Sequence, residues 1–80
     1  MSKPYEAKFE AGERVRIASR EHLEQFKREW HYHDPLTDEQ LGYAGAIGLV
    51  EEVGFYHGGE PLYQLKAVPG VWHEGCLSGA

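Results

Sequence analysis

The run Ala46-Ile-Gly-Leu-Val-Glu-Glu-Val53 is rich in branched side chains, which predicts a β-strand continuing through Phe55 and Tyr56. Gly45 and Gly48 mark bends or places where backbones come close. Upstream, Phe9-Glu-Ala-Gly-Glu13 reads as a turn into Arg14-Val-Arg-Ile-Ala18, whose alternation puts Val15 and Ile17 inside and Arg14 and Arg16 in water. Downstream, His57-Gly-Gly-Glu60 predicts a hairpin because glycine tolerates positive φ. Leu62 to Val68 then returns as a strand with Tyr63, Leu65 and Ala67 on one face. Pro69-Gly70 predicts the next tight turn, Val71-Trp-His-Glu74 a short fourth strand, and Gly75-Cys-Leu77 a terminal turn.

Between the first two strands the period changes. Ser19 is placed to cap a helix over about 20–31, with Leu23, Phe26 and Trp30 on one stripe and Lys27 and Arg28 near its end. Asp34-Pro35 stops it, and Thr37 with Gln40 forms a capping-box pattern for a helical turn near 38–42. The expected fold is mainly β. It is a small antiparallel barrel of four to five strands, with a helical insertion (about 20–42) after the first. Residues 1–8 read as a flexible arm and 9–80 as a single domain.

Eighty residues bury only roughly 60–65% of the unfolded surface, so the small core favours assembly into a homo-oligomer. A single cysteine, Cys76, excludes an internal disulfide and suits a reducing compartment. With no leader and no apolar run near membrane-spanning length, the expectation is a cytoplasmic protein with no membrane partner. Thirteen acidic against eight basic residues give a net charge of −5, which argues against nucleic acid as a partner. Lys8, Arg14, Arg16 and Arg20 cluster, but Glu6, Glu10, Glu13 and Glu21 interleave with them as on a solvated face.

Two stretches carry a family resemblance. Gly12-Glu-Arg-Val-Arg-Ile17 resembles the opening strand of SH3-like barrels. Tyr43 to Val53, with Gly45, Gly48, Val50 and Val53 in register, resembles their KOW-type segment. The outline is also similar to the C-terminal domain of the nitrile hydratase β subunit, with Leu62-Tyr63-Gln64-Leu65 in its last strand. That resemblance implies an accessory subunit beside a metal-bearing chain, with no catalytic residue carried over. The opening Phe9, Gly12, Glu13, Arg14, Val15 and Arg16 is similar to plasmid-type dihydrofolate reductase, an enzyme completed only by assembly. Its pore-lining Val-Gln-Ile-Tyr stretch is absent, and Val71-Trp-His-Glu74 stands nearby instead. Such barrels have five strands; residues 3–9, the chain's end or a partner would supply the fifth.

No complete catalytic constellation is visible. His31-x-His33 would share a face on an extended segment, and His73-Glu-Gly-Cys76 could add two ligands. Nothing in the sequence brings the two together, so no metal and no cofactor are assigned. Cys76 with His73 lacks the flanks of a nucleophile and reads as a structural thiol. Phe26 and Trp30 read as packing the inserted helix onto the sheet. The remaining aromatics are the better clue. Tyr43, Phe55, Tyr56, Tyr63 and Trp72, with His73, fall near strand ends, where SH3-like folds build ligand grooves. The chain thus reads as a binding module, rather than an enzyme, for a peptide, partner protein or small-molecule ligand.

Overall fold

The computed structural model describes residues 7–56 and 60–80. Five strands appear: β1 (Arg14–Ile17), β2 (Ile47–Phe55), β3 (Pro61–Leu65), β4 (Val68–His73) and β5 (Leu77–Gly79). Helix α1 (Arg20–Glu29) and the short α2 (Asp38–Leu41) lie between β1 and β2, and a 3-10 turn (Glu74–Cys76) precedes β5. The chain is therefore mainly β with its helical insertion after the first strand.

The ladder order is β4-β3-β2-β1-β5, every neighbouring pair antiparallel. Nine residues long, β2 serves two partners. Its first half pairs with β1 (Val15↔Gly48) and its second with β3 (Val53↔Tyr63). An irregularity between Val50 and Glu52 separates the halves and lets the strand bend. Gly48, just before the irregularity, leaves room for the Leu65 side chain, because a Cβ there would lie 2.9 Å from Leu65 Cδ1. The fifth strand comes from the chain's end: Leu77 pairs with Ile17, and Ala18 N–H donates to the Cys76 carbonyl.

One turn falls elsewhere than expected. The strand read through Val68 ends at Leu65, and the chain reverses at Lys66-Ala67, with Leu65 opposite Val68 and Ala67 at φ 63°. Pro69 and Gly70 lie within β4. As an edge strand, β4 has one side without a ladder partner, where proline's missing N–H is tolerated. Ala67 consequently leaves the core face. The predicted turn at His57-Gly-Gly lies outside the described residues, but its flanks pair, Phe55 with Pro61 and Tyr56 N–H to the Glu60 carbonyl. Most of the predicted arm is outside them too. Ala7 packs on the core and Lys8 N–H donates to Glu74.

Strand alternation builds the core from Val15, Ile17, Val50, Tyr63, Leu65, Trp72 and Leu77. The insertion adds Leu23, Leu36 and Leu41, with Phe26 packed at the margin. Ser19 caps α1 by accepting from His22 N–H, and the α1 stripe then holds the helix on the sheet. Helix α1 stops at Glu29, two residues short of the expected limit, where Trp30 turns extended. Among the described residues no helix is long and apolar enough to cross a membrane.

Candidate functional site

On the outer face of β2–β3–β4, register places Glu52 beside Gln64 and aligns Gly54, Leu62 and His73 in one row. The loop after α1 crosses one end of this face. Between them lies a depression of 220 Å³ lined by Asp34, Glu52, Gly54, Phe55, Tyr56, Leu62, Gln64 and Val71. Leu62, Val71 and the two rings supply its apolar surface, and the exposed Asp34 and Glu52 carboxylates supply negative charge.

Of the six residues expected to form a ligand groove, Phe55 and Tyr56 line this depression, 40% and 39% exposed. Tyr43 is half-buried against the core after α2 and is not among the lining residues. Tyr63 and Trp72 stand on the opposite, inner face and are wholly buried, so neither is a rim residue. Period-two alternation is the reason: Tyr63 shares its face with Leu65, and Trp72 is its cross-strand partner. Tyr63 uses its polar end internally, its hydroxyl donating to Glu74 at 2.7 Å and accepting from Phe9 N–H at 3.2 Å.

His73 is buried although it lies on the outer face, because the insertion covers it. Its ring packs against Phe26 and Trp30 at centroid distances of 4.9 and 5.0 Å. Its Nε2 stands 2.8 Å from the Asp34 carbonyl and its Nδ1 3.0 Å from Glu60 Oε1. His33 reaches the same carboxylate, with Nε2 3.2 Å from Oε2, and stacks on Tyr56 with centroids 3.6 Å apart. The Trp30 indole N–H donates to the His33 carbonyl and fixes this part of the loop. His33, Glu60 and His73 thus converge from the insertion, the residue before β3 and the end of β4. The histidine segments considered apart in the sequence do meet, through His33 and His73. Neither His31 nor Cys76 belongs to the cluster.

Cys76 is buried, and loss of solvation pushes its thiol up to about 12. It holds no thiolate near neutral pH and is unarmed as a nucleophile. The lining residues missed in the sequence are those on the face opposite Tyr63 and Leu65. Leu62-x-Gln64 carried that signal, whereas Asp34 and Glu60 are placed only by the tertiary fold. Comparison with protein-family models, with curated proteins and with solved structures returns no match. The functional reading therefore rests on the geometry of the depression and the cluster beside it.

Proposed function

We propose that this chain is a binding module, its sheet of SH3-like build, that accepts a partner's polypeptide segment in the depression between the insertion and β2–β3–β4. The observation that carries this reading is an apolar floor flanked by two exposed carboxylates, Asp34 and Glu52. Its 220 Å³ is below the roughly 300 Å³ at which small-molecule pockets begin. That is room for one or two side chains of a longer partner, not for a whole metabolite. The carboxylates and the net charge of −5 favour a segment pairing an apolar or aromatic side chain with Lys or Arg. Tyr56 and Phe55 supply broad ring surface for an arginine or a proline to lie on.

Titration with synthetic peptides containing Pro, Trp or Tyr beside Arg tests this reading by amide chemical shifts. The expected response is confined to Asp34, Gly54, Tyr56, Leu62, Gln64 and Val71, and Glu52→Lys weakens it at least about tenfold, worth roughly 1.4 kcal/mol. No shift at millimolar peptide, or shifts mapping to other faces, would sink it.

A further inference from the structure

The ring of His73 presents a problem of charge. Its Nε2 faces the Asp34 carbonyl at 2.8 Å, and a carbonyl only accepts, so Nε2 must carry a proton. In a neutral ring Nδ1 then turns a lone pair toward Glu60 Oε1, 3.0 Å away. Two electron-rich atoms at that distance, around a ring 2% exposed, call for a positive charge between them. The other carboxylate oxygen repeats the situation. His33 Nε2 lies 3.2 Å from Glu60 Oε2, yet it is buried and makes no aligned hydrogen bond among the described residues.

We infer that His33 Nε2, His73 Nδ1 and the Glu60 carboxylate bind a divalent transition-metal ion, of which zinc is the natural probe. The three donor atoms lie within 4.8 Å of one another. Zinc bonds of about 2.0–2.2 Å place tetrahedral ligands roughly 3.4 Å apart. The two imidazole nitrogens face different oxygens of Glu60, at 3.0 and 3.2 Å, so a shared ion draws donors now within 4.8 Å of one another inward by up to about 1.4 Å. Two imidazoles and one carboxylate suit zinc, cobalt or nickel. Calcium and magnesium prefer a shell of oxygens that this site does not provide.

The surroundings behave as an outer shell. Asp34 holds the Nε2 proton of His73 and so fixes the tautomer that leaves Nδ1 free to ligate. Tyr56 backs the His33 ring, and Trp30 fixes the His33 backbone. Among the described residues three donors converge, which leaves one tetrahedral position for a further ligand. Bound there, the ion ties the insertion loop to the ends of β3 and β4.

The competing occupant is a proton, which would make His73 an imidazolium paired with Glu60. Calorimetric titration of the full chain with zinc near neutral pH separates the two. The expected result is saturable binding of one ion per chain. At a hundredfold excess over the dissociation constant, the thermal midpoint should rise by roughly 15 °C. His33→Ala and Glu60→Gln should each weaken binding at least about tenfold, while His22→Ala and His31→Ala leave it unchanged. Amide spectra of each variant without zinc establish that it folds. Nitrogen shifts of His73 should show zinc at Nδ1 with the Nε2 proton retained. Absence of saturable binding, equal losses in the two control variants, or a His73 ring doubly protonated and indifferent to zinc would each overturn the inference.

Discussion

The side-chain amide of Gln40 occupies the space that a Cβ on Gly70 would need. The built position lies 2.6 Å from Gln40 Nε2 and 2.8 Å from its Cδ. Gln40 is 2% exposed and has two attachments. Its amide oxygen accepts from Thr37 N–H in the capping box of α2, and its Nε2 donates to the Val71 carbonyl at 2.9 Å. One side chain thus starts a helix and satisfies a carbonyl of the edge strand β4. Gly70 sits at φ +92°, so both sterics and backbone conformation require glycine there. Gly70→Ala should lower unfolding free energy by about 2 kcal/mol, read from urea midpoints at unchanged slope. Gln40→Ala should cost a similar amount through the lost cap and the unpaired Val71 carbonyl.

Tyr63→Phe should cost about 1–3 kcal/mol, because it leaves Phe9 N–H without its acceptor and takes one of two donors from Glu74. Lys8 N–H also donates to Glu74, so that carboxylate and the Tyr63 hydroxyl together hold the segment leading into β1. Hydrogen exchange should therefore accelerate at Lys8 and Phe9 in the variant more than at Val50 or Leu65. Uniform acceleration would contradict this local role.

Alkaline pH should unfold the protein through two buried acids. Burial, aided by the hydrogen bond to Glu74, pushes the Tyr63 hydroxyl from 10.0 to about 12, and burial alone takes Cys76 from 9.0 to about 12. Below pH 9 both groups are protonated whether folded or not, and stability is fully present. Above it the unfolded chain releases protons that the native state keeps, so stability falls from about pH 9 to pH 12. Urea midpoints measured across that range should decline, and Cys76→Ala should shift the onset upward by removing the first group to ionise.

Trp72 tests the worth of a buried indole nitrogen. Its Nε1–H has no hydrogen-bond partner among the described residues. Trp72→Phe therefore forfeits volume but relieves an unsatisfied donor, and should cost about 1–2 kcal/mol against about 3–5 for Trp72→Ala. Thermal or urea unfolding of the two variants provides the comparison; equal losses would mean the donor is satisfied in solution.

Period-two alternation made Val15, Ile17, Tyr63 and Leu65 legible as inward-facing, and the stripe Leu23, Phe26 and Trp30 identified α1 from spacing alone. The Thr37–Gln40 box was equally visible because both partners are three residues apart. What local pattern could not supply was the partner of each exposed edge. Pro69-Gly70 looks like a turn until β4 is known to lie at the sheet's margin, and Leu77 looks like a tail until β1 is known to need a second neighbour. The ligand face was misassigned for a related reason. Aromatic identity pointed to Tyr63 and Trp72, whereas the pleat had already turned those rings inward and left Leu62, Gln64 and Val71 outside. His33 and His73 were recognisable donors, but their meeting at Glu60 depends on how the insertion folds back.

The partnership of β1 with β5 also bears on how the chain assembles in time. Ile17 and Leu77 are sixty residues apart in sequence, yet they face each other across one ladder. Contacts so distant carry a large loop-closure cost, whereas β3 and β4, joined by a two-residue turn, can meet early. The β2–β3–β4 meander, which carries most of the ligand face, is thus poised to organise first, and docking of the final strand closes the cooperative transition.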